Sequence, residues 1–399
     1  MIEILILSVG LLILIGILMR RGAARLETGW VFGVFMAYGI VLGVLIEGMP
    51  FSAVAGRPSI RTFVAAMVGV FALRLLARGV RGWARGYRDE DRGSTREDAR
   101  LLHPIIAFGL ALSGILMIHE ACVSRHMALE IENTPRSGTT GIVRGAEPIS
   151  LTQENAASRA ILLFHGFLGS PADFGDLPET LHEAGFTVQA PLLPGHGTTP
   201  AELRSANPDE WLEAALAAYD ALVETHPDVT VLGFSMGGFV ATQVANERDV
   251  KRLVLINPFV GETFQPAWSP IPTDDLAVFF EPLIDSVIRP SAMVRLRDQS
   301  QVPRMRTYKT VPITPVVRLH EAAQLAALED DFRWVPCPTL VLLSDGDHVT
   351  PSDSAHAIYD APDVGPVDVE SFAKSDHLLL LDYDRDEAVA KVIAWVSGQ

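Results

Sequence analysis

Cysteine is almost absent from this chain, which has only Cys122 and Cys337 among its 399 residues. Two cysteines supply neither a disulfide framework nor a set of metal ligands. We therefore predict no metal site, and no motif in the sequence indicates an organic cofactor.

Basic residues are scarce in the larger, C-terminal part of the chain. Residues 1–120 hold 13 Arg and no Lys against 9 acidic residues, whereas the remainder holds 19 basic and 39 acidic residues. An acidic body of this kind repels a phosphate backbone. Nucleic acid is therefore excluded as a partner.

The N-terminal part contains four long apolar runs, at residues 2–19, 30–46, 63–76 and 101–118. About 18 apolar residues are enough to cross the hydrocarbon core of a bilayer; the third run is the shortest and includes Arg74. The first run lacks a basic segment before it, and Arg20 and Arg21 stand where a signal peptide would have its cleavage site. We predict an all-α transmembrane region over residues 1–122, so the membrane itself is a partner.

Arginine in the loops between these runs predicts their orientation. The first loop carries three Arg and the third carries seven, whereas the second carries two. Positive loops face the cytoplasm, which places the C-terminal body outside an inner or plasma membrane. Two alternatives stay open: the Arg-rich loop has no topological role, or the third span is not real and the body is cytoplasmic.

A polar stretch at 123–142 is predicted to be a linker, and from residue 143 to 399 strands alternate with helices. The strands are short, apolar and well separated, at 160–164, 187–192, 229–232, 252–256, 339–343 and 367–372. Helices are predicted at about 176–184, 208–224 and 385–396, and in the second of these the apolar residues recur at helical spacing. This pattern predicts a mostly parallel sheet covered by helices on both faces, with sites at the carboxyl ends of the strands.

The motif Gly233-Phe234-Ser235-Met236-Gly237 lies between a predicted strand and a predicted helix. G-x-S-x-G in this context forms a sharp turn that exposes the serine hydroxyl, so Ser235 is the candidate nucleophile. A second turn, 165–169, follows the first strong strand and brings the N–H of Phe167 towards the nucleophile. With the N–H of Met236 it would form an oxyanion hole, and His165 is interpreted as a structural residue.

An acid and a base follow Ser235 in the chain. Asp345 and Asp347 both lie after a predicted strand and compete for the role of the acid; Asp347 is preferred because it lies in the turn that leads into the next helix. His377 follows a later strand and comes after both the serine and the acid. The order Ser, Asp, His is that of an α/β-hydrolase triad.

From about residue 143 to its end, the chain resembles the α/β-hydrolase superfamily, and within it bacterial carboxylesterases and monoacylglycerol lipases. The resemblance is carried by residues 144–148, 163–171, 193–197, 233–238 and the segments that hold Asp347 and His377. It implies Ser235 as nucleophile, His377 as base, Asp347 as its orienting acid, and Phe167 and Met236 as oxyanion donors. The four N-terminal spans are not part of that family's usual pattern.

A long segment between two core strands, at about 259–335, is predicted to be the cap of such a fold. It contains bulky aromatic side chains that could line an acyl pocket: Phe264, Trp268, Phe279 and Phe280. The alternative is that they form the core of the cap itself.

The sequence therefore predicts a membrane-anchored serine hydrolase that cleaves a lipophilic carboxylic ester, such as a monoacylglycerol, through an acyl-enzyme. An acyltransferase or an amidase or peptidase would use the same triad. A third hypothesis is a membrane sensing module without enzymatic activity. The sequence does not indicate an oligomeric state.

Overall fold

Seven strands form one twisted sheet in the computed structural model, which describes residues 94–154, 159–263, 272–289, 296–332, 336–361 and 365–398. The strands are β1 (Ile149–Leu151), β2 (Ala160–Phe164), β3 (Thr187–Ala190), β4 (Val229–Phe234), β5 (Arg252–Ile256), β8 (Thr339–Ser344) and β9 (Val367–Phe372). Their order is β1-β3-β2-β4-β5-β8-β9, and every pairing is parallel except that of β1 with β3. The predicted mostly parallel sheet is confirmed.

Helices precede, connect and follow these strands. They are α1 (Ser94–Asn133), α2 (Leu177–Glu183), α3 (Pro200–Ser205), α4 (Pro208–Val223), α5 (Met236–Glu247), α6 (Thr273–Phe280), α7 (Ile313–Leu328), α8 (Ser352–Tyr359) and α9 (Arg385–Ser397). The described part of the chain also contains short 3-10 helices at Pro171–Phe174, Gln299–Arg304 and Leu379–Leu381. Asn207 caps α4, because its side chain accepts from the N–H of Glu210 and a proline follows it.

Side chains on the strands alternate between two buried faces of the sheet. On one face, Leu162 of β2 belongs to the same cluster as Trp211 of α4. On the other face, Ile161 packs in a cluster with Leu181 of α2 and Val392 of α9. Each buried Leu, Ile or Val stabilises the fold by roughly 1.5–3 kcal/mol, so both helical layers hold the strand ends in fixed positions.

The segment between β5 and β8 contains α6, α7 and a separate two-stranded antiparallel sheet, β6 (Ser286–Ile288) with β7 (Thr310–Pro312). This is the segment in which the sequence predicts a cap. Its last helix, α7, is not isolated from the body: Leu319 and Ala323 are buried in the cluster that also covers the sheet. The strands of the small sheet pair with each other and are not part of the seven-stranded sheet.

The predicted transmembrane spans fall mostly outside the described residues. Those at 2–19, 30–46 and 63–76 lie there entirely, and the span at 101–118 falls within α1. No helix in the part of the chain that the structure describes is both long and apolar enough to cross a membrane.

The predicted linker, 123–142, differs from the structure in its first half. Residues up to Asn133 continue α1, because the run Met127–Glu132 consists of helix-forming and apolar residues and the first proline after it is Pro135. From His126 onward the chain belongs to the same compact unit as the sheet. The end of α1 is thus part of the body.

Candidate active site

Ser235 occupies a strained turn between β4 and α5. Its φ of 56° and ψ of −121° place it outside the regions that non-glycine residues favour. The turn closes only because glycines flank it: a Cβ at Gly233 would overlap the carbonyl of Gly237, and one at Gly237 would overlap that of Phe164. The serine is thereby held at the carboxyl end of β4 with its hydroxyl projecting.

Three side chains from distant parts of the sequence form a continuous hydrogen-bonded line. The Ser235 hydroxyl lies 2.9 Å from Nε2 of His377, and Nδ1 of His377 lies 2.7 Å from Oδ2 of Asp347. All three residues are buried, with 6, 7 and 8% of their surface exposed respectively. The structure therefore brings together the three residues that the sequence predicts for a triad.

The two competing aspartates, Asp345 and Asp347, lie in different surroundings. Asp345 is exposed, and its backbone N–H donates to the carbonyl of Phe372. The carboxylate of Asp347 instead accepts from the N–H groups of Val349 and Thr350, at 2.7 and 2.9 Å. These bonds fix its orientation, so that its second oxygen faces the histidine.

Asn257 is a buried site residue that the sequence reasoning missed. It follows β5 with a φ of 42°, and its amide nitrogen donates to the His377 carbonyl at 2.8 Å and to the Ser344 hydroxyl at 3.0 Å. Its amide oxygen accepts from the Ser344 N–H at 2.7 Å. A signal was available, because asparagine tolerates positive φ and stands at the carboxyl end of a core strand. Asn257 joins the loops that carry the acid and the base.

Two buried carboxylates hold the loop that carries His377. Asp382 accepts from the N–H of Asp376 at 2.9 Å and from the N–H of Arg297 at 2.8 Å. Asp384 accepts from the N–H of Lys374 at 2.8 Å. With 0 and 4% of their surface exposed, Asp382 and Asp384 tie this loop to neighbouring chain segments and limit its movement.

The loop after β2 carries the predicted oxyanion donor Phe167. His165 anchors this loop: its Nε2 accepts from the Leu193 N–H at 3.1 Å, while Nδ1 donates to the Gly166 carbonyl at 3.0 Å. Burial lowers the pKa of His165 to about 4, so the ring is neutral at physiological pH. This placement agrees with its interpretation as a structural residue.

The second predicted oxyanion donor, Met236, is the first residue of α5. The N–H groups of a helix's first turn have no partner within the helix and carry its positive dipole end. The ring of Phe167 packs edge-on against His196 and Trp211, with centroid distances of 6.0 and 6.1 Å. These ring contacts hold the loop that carries Phe167. The loop lies beside the turn that contains Ser235, since a Cβ at Gly166 would lie 3.3 Å from the Cβ of Ser235.

Asp173, in the first 3-10 helix, is a second residue that sequence reasoning missed. It is 5% exposed and packs so closely on Gly169 that a Cβ there would overlap its carboxylate. Burial raises the pKa of Asp173 to about 7, and this rise is opposed by hydrogen bonds from the backbone of Gly166 and Ser170 and by the charge of His377. A carboxyl group that titrates near neutrality therefore lies under the oxyanion loop.

The raised pKa of Asp173 makes stability depend on pH. Between pH about 4 and about 7 the folded state holds this proton more often than the unfolded state, so the free energy of unfolding falls as pH rises. We expect Asp173→Asn to remove this fall, which amounts to about 1 kcal/mol or more. Urea unfolding at pH 5 and pH 8 measures it. Glu213→Gln, at an exposed carboxylate, should keep the wild-type pH dependence; an unchanged dependence in Asp173→Asn would contradict the expectation.

The predicted acyl-pocket residues do not share one environment. Phe279 and Phe280 are 66 and 40% exposed, and their rings pack edge-to-face on each other with centroids 5.1 Å apart. Phe264 and Trp268 lie outside the described residues. Phe279 and Phe280 are thus on the surface of the predicted cap, and their acyl-pocket role stays a prediction.

The arrangement can carry out nucleophilic acyl transfer. A buried hydroxyl on a strained turn donates to an imidazole, and a fixed carboxylate holds that imidazole in the tautomer that accepts the hydroxyl proton. Within the described residues, no group of three or more His, Cys, Asp or Glu side chains is placed to hold a metal ion. Ser235, His377 and Asp347 therefore form a candidate active site at the carboxyl ends of the parallel strands.

Comparison with known proteins identifies the family. A profile of the Alpha/beta hydrolase family matches residues 161–392, more than half of the chain. The chain therefore belongs to the alpha/beta hydrolase family, and it is an esterase- or lipase-like hydrolase.

Three similar proteins illustrate this relationship. The carboxylesterase of Bacillus subtilis (strain 168) is 25% identical over 230 residues, which are 57% of this chain and 88% of the relative. The thermostable monoacylglycerol lipase of Bacillus sp. (strain H-257) is 26% identical over 247 residues, 61% of this chain and 91% of the relative. A solved structure from work on the metagenome-derived lipolytic enzymes LipS and LipT has 26% identity and a TM-score of 0.56, and the match covers 65% of this chain and all of that chain.

Proposed function

We propose that this protein hydrolyses carboxylic esters with a lipophilic acyl group through an acyl-enzyme on Ser235. The observation that carries the proposal is the line from the Ser235 hydroxyl through His377 to Asp347, with distances of 2.9 and 2.7 Å. Membership of the alpha/beta hydrolase family supports it.

The first half of the reaction acylates the serine. Ser235 Oγ attacks the ester carbonyl carbon while its proton moves to Nε2 of His377, and the charge of Asp347 stabilises the imidazolium that forms. The N–H groups of Phe167 and Met236 donate to the oxyanion; each such donor contributes about 3–4 kcal/mol to the transition state. The intermediate collapses as the C–O bond breaks, and the leaving alcohol takes the proton from His377.

The second half returns the serine to its free form. Water attacks the acyl carbonyl and gives a proton to Nε2 of His377, which then protonates Ser235 Oγ as the ester bond to the enzyme breaks. The products are a carboxylic acid and the alcohol released in the first half. The residues used are the same in both halves, and no further group needs to change its protonation state.

We further propose that the substrate is a monoacylglycerol or a similar ester with a long acyl chain. Support comes from the similar monoacylglycerol lipase of Bacillus sp. (strain H-257) and from the aromatic residues of the predicted cap. Under this proposal, Phe264, Trp268, Phe279 and Phe280 contact the acyl chain when the substrate is bound.

A panel of substrates tests this assignment. Purified full-length protein in detergent is given 1-monoacylglycerols and p-nitrophenyl esters with acyl chains of 2 to 16 carbons. We expect kcat/KM to rise with chain length, by about fourfold per buried methylene until the pocket is full. A maximum at acetyl esters would contradict the lipophilic substrate. Product analysis with a competing alcohol distinguishes an acyltransferase, and a matched anilide distinguishes an amidase.

We also propose that the N-terminal region anchors the enzyme in the membrane, with its catalytic body on the extracytoplasmic side. Support comes from the apolar runs at 2–19, 30–46, 63–76 and 101–118 and from the arginines in the loops between them. A membrane-impermeant fluorophosphonate should label intact cells whose outer membrane, if there is one, is permeabilised. Labelling only after lysis would place the body in the cytoplasm.

A further inference from the structure

The chain segment 308–310 lies directly behind the oxyanion loop. The N–H of Tyr308 donates to the carbonyl of Leu168 at 3.3 Å, and Leu168 is the residue after the proposed donor Phe167. Leu168 has a φ of 64°, a conformation that leucine adopts only when its surroundings impose it. The contact from Tyr308 is one of those surroundings.

The side chain of Tyr308 ties the same segment to a third piece of the chain. Its hydroxyl donates to the Gly195 carbonyl at 2.9 Å and accepts from the Thr198 N–H at 2.7 Å. Only 5% of Tyr308 is exposed. Because its backbone and its hydroxyl are both bonded, Tyr308 cannot shift without disturbing the oxyanion loop or the loop at 195–198.

The next two residues are held by the end of α1. The carboxylate of Glu130 accepts from the N–H of Lys309 at 2.6 Å and from the N–H of Thr310 at 2.9 Å. The Glu130 side chain is only 7% exposed, and Nδ1 of His126 lies 3.1 Å from the Thr310 hydroxyl. A buried carboxylate with two backbone donors is a strong, directional clamp on this segment.

We propose that Glu130 is a positioning residue for the oxyanion hole. By fixing Lys309 and Thr310 it fixes Tyr308, which in turn holds Leu168 and therefore the N–H of Phe167. The inference rests on the proposed function, because it assigns to Glu130 an effect on that reaction. It gives the last turns of α1, which belong to the same compact unit as the sheet, an influence on the rate of the chemical step.

Geometry explains why the effect should fall on the chemical step. An oxyanion donor acts only when it lies about 2.7–3.1 Å from the developing charge, and a supporting contact that loosens by a fraction of an ångström weakens it. Binding of the uncharged ester depends less on this donor. Loss of the clamp should therefore lower kcat much more than it changes KM.

Four full-length variants test the proposed positioning role of Glu130. They are Glu130→Ala, Glu130→Gln, Tyr308→Phe and the double variant Glu130→Ala/Tyr308→Phe. The matched control is Glu132→Gln, an exposed glutamate on the same helix. Hydrolysis of p-nitrophenyl butyrate is measured per active serine titrated with a fluorophosphonate, together with inhibition by a trifluoromethyl ketone that mimics the tetrahedral intermediate. Melting temperature is recorded for each variant.

We expect Glu130→Ala to lower kcat about tenfold and to weaken the trifluoromethyl ketone by a similar factor, with KM within about twofold. Glu130→Gln keeps one acceptor oxygen and should fall between Glu130→Ala and the wild type, whereas Glu132→Gln should match the wild type. The double variant should lose less than the product of the two single losses, because both changes act through the same contact.

Three results would overturn the inference. The first is an unchanged kcat per active serine in folded Glu130→Ala. If only the melting temperature fell, the role of Glu130 would be purely structural. The second is a loss confined to KM. The third is a wild type that neither hydrolyses the ester nor reacts with the fluorophosphonate, which would remove the proposed function itself. If Glu130→Ala does not fold, Glu130→Gln and Tyr308→Phe decide by the same criteria.

Discussion

Ser235→Ala is expected to lower the kcat of ester hydrolysis by roughly 10⁴-fold or more while the protein remains folded. The variant lacks the oxygen that forms the acyl-enzyme. The fold should be preserved because alanine has the same backbone and Cβ as serine in the strained turn at φ 56°. Steady-state hydrolysis of a p-nitrophenyl ester measures the loss, and melting temperature confirms the folded state.

Ser205→Ala is the matched control, since this exposed serine at the end of α3 lies outside the site. It should retain wild-type kcat. The assignment of the nucleophile would be contradicted by a Ser235→Ala protein that keeps more than about one hundredth of the wild-type kcat, because a water-based mechanism on the remaining site is far slower.

Asp347→Asn should have the second largest effect, a fall in kcat of about 10⁴-fold. In the native site, the Asp347 carboxylate accepts from Nδ1–H of His377 at 2.7 Å, which leaves Nε2 free to take the proton of Ser235. An asparagine that keeps its oxygen towards the backbone of Val349 and Thr350 presents its NH₂ to the ring. The histidine would then carry its proton on Nε2, where it cannot act as a base.

Asp345→Asn is a control at the competing position two residues earlier. Asp345 is exposed, and its backbone N–H donates to the carbonyl of Phe372, so the kcat of Asp345→Asn should stay within about twofold of the wild-type value. If Asp345→Asn lost as much activity as Asp347→Asn, or more, the two assignments would be exchanged. A pH profile of kcat/KM separates the two cases further, because only loss of the orienting acid changes the behaviour of His377.

Much of the fold was accessible from the sequence because its signals are local. Each core strand is a short, continuous apolar run, and residues 160–164, 252–256 and 367–372 form strands with the predicted bounds. The glycines around Ser235 predict a sharp turn, because a side chain at either position would overlap the backbone. Once a parallel sheet is inferred, the carboxyl ends of its strands must meet, so residues 235, 347 and 377 could be placed together before any distance was known.

The residues that support the site were not accessible in the same way. Glu130 and Thr310 are 180 positions apart, and nothing in either segment indicates that they touch. Glu130 also lies in the predicted linker, because the sequence pattern does not indicate that α1 continues to Asn133. Asp173 becomes informative only when its burial is known, since aspartate occurs commonly in exposed turns.

The substrate pocket is the part where sequence reasoning gives least. Aromatic residues in a predicted cap are equally suited to a pocket, a cap core or a surface patch, and the 66% exposure of Phe279 shows that aromatic character alone does not decide between them. By contrast, the triad roles are predicted from the spacing of the serine motif, the chain order of the three residues and their positions after strands. Together these constraints are specific.

The most direct test of the central claim, that Ser235 is the nucleophile of an ester hydrolase, is to map the adduct formed with a fluorophosphonate by peptide mass spectrometry. We predict one adduct, on the peptide that contains Ser235, which a monoacylglycerol added beforehand delays and which His377→Ala abolishes. An adduct on another serine, or no adduct while ester hydrolysis continues, would contradict the account.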